Sequence, residues 1–210
     1  MIRHTKSAVA LSLSSAQRFC GSVSAVGEMV ERVDEQDRTV GVVDRGEAIR
    51  RRWLHRVATT VCRDPDGRIL VHRRPDHVSR FPGQYNWLVG GAVGVGVGET
   101  YPAAASRELA EELGVHTPTR FLFKYLCRGV ISPYWLGLHE AVLDRPVVPD
   151  ASEVAWHAWL TPVELRAAMY DTTFVPDARD AFVRYQAENA GPRGPLPRAS
   201  TLPPRPQRSV

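Results

Sequence analysis

No run of apolar residues in this 210-residue chain approaches the roughly 20 needed to cross a bilayer, so no membrane association is expected. Cysteine is scarce. Cys20, Cys62 and Cys127 lie far apart and lack the paired spacing of a zinc site. Their odd number makes poor disulfide arithmetic, and a reducing cytoplasm fits best. Lysine is nearly missing, Lys6 and Lys124 being the only two. The folded part also lacks an excess of positive charge. The formal net charge is +4, but Arg193, Arg198, Arg205 and Arg208 fall in residues 189–210, which hold no acid, so residues 1–188 are formally neutral. The basic pI is a tail property and does not argue for a nucleic-acid partner. Arg50-Arg51-Arg52 reads as a solvated helix face.

The length supports one domain with extensions. Arg3, His4 and Lys6 precede AVALSLSSA, which is short, broken by serines and without a clean A-x-A site, so export is not expected. Residues 1–28 read as a disordered extension, 29–188 as the domain, and 189–210, rich in proline and arginine without periodicity, as a disordered tail. Within the domain, VERVDEQDRTVGVV reads as two strands about a polar turn, Asp34 to Arg38. Asp44 can cap a short helix over Arg45–Leu54. Strands are expected at Val57–Cys62, Arg68–His72, Trp87–Val93, Phe121–Arg128, Tyr134–Leu143 and Val154–Leu160. Thr161-Pro162-Val163-Glu164 is a capping box opening a helix to about Met169. Asp177 is expected to cap a last helix to about Glu188. Strands outnumber helices in mixed order, which predicts an α/β fold with a mixed sheet and helices packed against it.

Residues 90–115, GGAVGVGVGETYPAAASRELAEELGV, carry the chemistry. Thr100 can cap and Gly114 can end a helix over about Pro102–Leu113. Leu109 and Leu113 form its apolar stripe, and Ala104 leaves room beside the acids. Glu108, Glu111 and Glu112 stand at i, i+3 and i+4 and share one face. Like charges at that spacing are mutually unfavourable, and a hard divalent cation with oxygen ligands is the natural compensation.

The run Arg107-Glu108-Leu109-Ala110-Glu111-Glu112-Leu113-Gly114-Val115 matches the core of the Nudix box, R-E-(aliphatic)-x-E-E-x-G-(aliphatic), and Glu99 lies eight residues before Arg107 as the box requires. The chain thus resembles a Nudix hydrolase. The resemblance implies an α/β/α sandwich and hydrolysis of a nucleoside diphosphate, or another diphosphate, linked to a group X. It implies Mg²⁺ or Mn²⁺ held by Glu108, Glu111 and Glu112, with the backbone carbonyl near Gly91 as a further ligand. Arg107 is similar to the arginine that orients a ligand glutamate. Glu153, in a late loop, stands where such enzymes often supply an extra ligand or base; a solvated loop acid is the other reading. Arg73 and Arg74 follow a strand and can reach substrate phosphates. Glu140, Phe81 and Trp87 are weaker candidates, the aromatics being commoner in cores than stacked on a base. The partner implied is a small-molecule diphosphate, with a homodimer the default if the chain associates.

Residues 29–188 further resemble the isopentenyl-diphosphate-isomerase-like branch. That pattern needs two histidines, at positions held here by Ile49 and His55, and a cysteine with a nearby histidine where this chain has Trp87-Leu88-Val89-Gly90-Gly91. Isomerisation therefore has no visible protonating pair, and His55 reads as structural. A catalytically weak domain that senses a nucleotide is the other rival. One departure touches the box. Six positions before its glutamate, with five residues between, the family has glycine; here that count from Glu99 falls on Val93, as though one Val-Gly unit were duplicated. The extra residues are expected to bulge near Gly94–Gly98, leaving Gly91 and the helix in place.

Overall fold

A computed structural model describes residues 27–95, 98–170 and 173–189. The expected extension (residues 1–26 of it) and tail (residues 190–210) lie outside the described residues, as do 96–97 and 171–172.

The first element is a hairpin of β1 (Met29–Val33) and β2 (Thr39–Asp44). Its turn forms because Asp34 Oδ1 accepts the N–H groups of Gln36 and Arg38, each at 2.9 Å. Asp44 then accepts from the Glu47 N–H at 2.9 Å and caps α1 (Arg45–Arg50). This helix is shorter than expected. Arg52 takes a left-handed φ of 56° and the Trp53 N–H folds back to the Ala48 carbonyl at 2.8 Å, which ends it.

The main sheet is built around β3 (Arg56–Arg63), which runs parallel to β8 (Tyr134–Val142). Its other edge pairs antiparallel with β6 (Val89–Ala92) and, at Arg63, with β4 (Ile69–Arg73). Outside these lie β5 (Tyr85–Asn86) and β9 (Trp156–Leu160) on β4, and β7 (Arg120–Cys127) on β8, all antiparallel. The strand expected over Trp87–Val93 is divided, because Asn86 Oδ1 takes the N–H groups of Trp87 and Leu88 before the chain re-enters the sheet.

Period-2 alternation separates the two faces. Val61, Ile69, Val71, Leu136 and Leu138 pack with Trp87 and with Ala178, Ala181, Phe182 and Tyr185 of α4 (Pro176–Asn189). Cys62, Leu70, Val89 and Ala141 pack with Leu109 and Leu113 of α2 (Tyr101–Leu113). The result is the expected α/β/α sandwich with a mixed sheet, completed by α3 (Pro162–Ala168) behind the Thr161–Glu164 capping box. Trp87 is a core residue whose Nε1–H donates to the Ala178 carbonyl at 2.8 Å. Asp177 is not the cap of α4. It sits in the first turn and accepts from the Val130 N–H at 3.2 Å and the Tyr134 hydroxyl at 3.0 Å.

Buried ion pairs fasten the layers. Asp37, at the hairpin tip, accepts from Arg56 Nε at 2.7 Å, from Tyr101 and from Lys124, which ties the hairpin to the domain. Glu140 points inward, held by Arg63 and Arg120 at 2.6 and 2.5 Å.

His72 on β4 is fully buried and donates from Nε2 to the Leu88 carbonyl at 3.0 Å. Burial pushes its pKa down to about 4 from 6.5. The unfolded chain therefore binds the extra proton first, so this contribution is whole above pH 6.5 and is lost as pH falls towards 4. His72→Gln keeps a donor but cannot titrate. Urea unfolding across pH 7 to 4 should show a shallower acid loss for the variant than for the wild type, the difference being on the order of 3 kcal/mol at most. Identical slopes would show that His72 does not titrate with folding.

Candidate active site

The site is set by how closely α2 approaches β6. Gly90 has a φ of 149°, and a Cβ there would strike the Ala58 carbonyl. A Cβ at Gly91 would lie 2.5 Å from Glu108 Oε1. The two glycines thus admit acidic side chains between helix and sheet. Ala104 completes the approach by packing on Ala58 rather than leaving open room. In consequence Glu108 and Glu112 are buried, while Glu111 stays over half exposed.

Arg107 organises this acidic cluster. Its Nε donates to Glu99 Oε1 at 2.9 Å, and its Nη1 donates to Glu108 at 2.7 Å and Glu111 at 2.9 Å. Its Nη2 donates to the Ala92 carbonyl at 2.9 Å and to Glu99 Oε2 at 3.3 Å. These contacts match the five N–H donors of a guanidinium. Glu99 also accepts from the Gly94 N–H at 2.6 Å, which closes the glycine-rich loop on itself. The bulge expected in that loop falls partly on residues 96–97, outside the described residues; Gly91 lies directly against Glu108 of α2.

Among the described residues Glu112 has no cationic partner within ion-pair distance. Its Oε1 accepts from the Gly90 N–H at 3.0 Å. Burial, then repulsion from Glu108 and Glu153, pushes its pKa up to about 8. Glu108 is also raised, mainly by burial, against the pull of Arg107. For Glu99, burial is outweighed by Arg107 and the Gly94 N–H, which hold it below the usual range. Among the described residues no three acidic, histidine or cysteine side chains converge as a ready-made metal cage. The geometry explains this: Arg107 Nη1 lies between Glu108 and Glu111, and Glu112 is turned to Gly90.

These groups open on a cavity of about 620 Å³. The cavity brings together Gly91, Arg107, Glu108, Glu111, Glu112, Glu153 and Arg74. Arg73 does not line it; its guanidinium turns to Asp76 at 2.5 Å. Ile49 and His55 both face the cavity. Burial, with smaller repulsion from Arg45 and Arg80, brings the His55 pKa down to about 4. The two described cysteines, Cys62 and Cys127, are buried and are not among the lining residues. Phe81 contributes to the wall. The sequence reading missed Arg45 and Arg80, which line the same space from α1 and from the loop after β4; neither belongs to a local motif.

The family model described as the NUDIX domain matches residues 53–182. An uncharacterized Nudix hydrolase of Streptomyces coelicolor, SCO1686, is 41% identical over 170 residues, covering 80% of this chain and 93% of the relative. A protein of Methanosarcina mazei named prenyl-diphosphate phosphatase is 35% identical over 135 residues, covering 61% and 78%. The solved structure of DR0079 from Deinococcus radiodurans superposes with a TM-score of 0.65 at 29% identity, covering 75% of this chain and 98% of that one.

Arg107→Lys keeps the charge but concentrates its donors on one atom, which cannot reach acceptors on the loop, the strand and two helix positions together. Denaturant unfolding without divalent cations should show a loss of about 1–3 kcal/mol, a third of the side chain meeting solvent and moderating the effect. Unchanged stability would mean that the guanidinium does not hold the loop and strand together.

Proposed function

This chain belongs to the Nudix hydrolase family, and we propose that it cleaves the phosphoanhydride bond of an organic diphosphate with the help of a divalent cation. The observation that carries the reading is one cavity holding buried carboxylates at one end and arginines beside them.

The residues present suit Mg²⁺ or Mn²⁺. Glu108 and Glu112 are hard oxygen donors whose burial leaves negative charge under-compensated, and Gly91 keeps the space beside Glu108 free of a Cβ. Glu108, Glu111 and Glu112, with the Gly91 carbonyl, would hold the ion. Such an ion neutralises phosphate charge and lowers the pKa of a water. Arg107 is a positioning residue that keeps the glutamates and the glycine-rich loop in register. Arg74 faces the cavity and would bind a phosphate oxygen. Glu153, whose charge is felt by Glu112, takes the proton of the attacking water. A water oxygen bonds to phosphorus, the anhydride P–O bond breaks, and the departing phosphate keeps the electron pair.

The group X is read from the apolar residues that line the same cavity. Ile49, Phe81, Leu136 and Val175 give it an apolar surface. That surface, together with the relative named prenyl-diphosphate phosphatase, favours a prenyl-like chain over a nucleoside. Ile49 stands in the cavity where the isomerase pattern has a histidine, which weighs against isomerisation.

Purified chain should be assayed with Mg²⁺ against prenyl diphosphates, nucleotide sugars and dinucleotides. Glu112→Gln and Glu153→Gln should each lower kcat by about 10²-fold or more, and chelation should abolish turnover. Binding without turnover by the wild type, or equal rates for wild type and both variants, would overturn hydrolysis at this site.

A further inference from the structure

Residues 27–52 precede the stretch matched by the family model, yet they supply Glu28, Arg45 and Ile49 to the cavity. Their placement is firm. The Arg45 N–H donates to the Glu28 carbonyl at 2.8 Å, Val30 bridges to Gly94 of the glycine-rich loop, and Asp37 is bound by Arg56 and Lys124. The appendage is therefore part of the wall.

Three guanidiniums meet on this side: Arg45 from α1, Arg74 from the end of β4, and Arg80 from the loop that follows. Arg74 Nε donates to the Arg80 carbonyl at 3.0 Å, which ties the loop to the strand. Among the described residues neither Arg74 nor Arg80 has a carboxylate within ion-pair distance. Arg45 has one, Glu28 at 2.6 Å, and that carboxylate is half exposed. Arg45 Nε is buried without a hydrogen-bond partner, as is Thr59 Oγ1 on the same cavity's wall. Burial, and then the charges of Arg45 and Arg74, hold Arg80 below the usual arginine range. His55 beside them is neutral and offsets nothing. Clustered guanidiniums with unused donors are poised for an anion that can meet several at once.

The cluster lies within electrostatic reach of the carboxylate end: Arg45 acts on Glu108, and Arg74 on Glu112. We propose that Arg45, Arg74 and Arg80 seat the terminal phosphate of the substrate, so that the site selects monoesters of diphosphoric acid with an apolar organic group over diphosphates esterified at both ends. This rests on the proposed diphosphate hydrolysis. Three guanidiniums less the Glu28 carboxylate leave two positive charges. A free terminal phosphate carries about two negative charges near neutral pH, whereas one esterified on its outer side carries one. Ile131 and Ala178 also line the cavity, as do Ile49 and Phe81, and give the organic group apolar surface; Asp177, which lines it too, accepts from the Val130 N–H and the Tyr134 hydroxyl.

The test separates this seat from hydrolysis itself. Titration calorimetry of the full chain with methylenediphosphonate, in chelator, reads the seat alone. Arg45→Gln and Arg80→Gln should each weaken binding about tenfold, with Arg80→Lys partly restoring it. Glu28→Gln should tighten binding, because it removes the competing carboxylate. With Mg²⁺ present, the two arginine variants should raise KM for a prenyl diphosphate several-fold more than for a nucleotide sugar. Thermal melting checks that each variant is folded. Unchanged diphosphonate affinity in both folded arginine variants overturns the seat even if the enzyme hydrolyses diphosphates. Equal sensitivity of the nucleotide sugar overturns the selectivity. Arginine-dependent diphosphonate binding by a chain that hydrolyses nothing supports the seat and refutes the proposed reaction.

Discussion

Everything in the acidic half of the cavity depends on the five-donor clamp of Arg107. One guanidinium joins Glu99 on the loop, the Ala92 carbonyl on β6, and Glu108 and Glu111 on α2. Without a cation among them, the acids of this helix would repel one another across a single turn. With it, loop, strand and helix are joined, though one guanidinium does not balance three carboxylates and Glu112 stands outside the clamp. That residue is buried, turned to a backbone N–H and short of a counter-charge. The arrangement stabilises the fold at three corners and leaves the fourth under-compensated, which is the electrostatic condition a divalent cation relieves.

The clamp works only because the sheet lets the helix come close. Gly90 and Gly91 pair with Thr59 and Ala58 on β3. Any larger residue at either position would meet the β3 backbone or the Glu108 carboxylate. Alternation along β3 and β8 then sends one set of side chains to α2 and the other to α4. The same β-sheet periodicity that builds the core therefore also places the carboxylates at its edge.

What was legible in the sequence follows from range. Caps, turns and periodicity act over a few residues, so α2 between Thr100 and Gly114, the Thr161 box and most strands could be placed before any coordinates. The box also named Arg107 and its glutamates. Several features depended on distant partners. Asp177 looks like a cap but serves the Val130 N–H and the Tyr134 hydroxyl across the fold. Arg73 and Arg74 are indistinguishable in sequence, yet only Arg74 faces the cavity, while Arg73 is drawn to Asp76. Ala104 was expected to leave room beside the acids, but it packs with Ala58, and Glu108 is buried against Gly91 of β6. Arg45 and Arg80 carry no local signature, since their meaning arises from three separated segments meeting.

The cavity is thereby divided by sequence origin as well as by charge. Its acidic end comes from the loop and helix that carry the family's box, and in the proposed reaction those residues bear on bond cleavage. Its basic and apolar parts come from the appended hairpin and helix, the loop after β4 and the approach to α4. Such a division lets the reactive end stay constant while the recognising end is rebuilt, because a change at Ile49 or Arg80 does not pass through the Arg107 clamp. The missing histidine at Ile49 belongs to that outer part. Ile49 gives the cavity an apolar surface there without touching the carboxylates. Recognition and the carboxylate cluster can thus vary independently, because they are built on different elements of the fold.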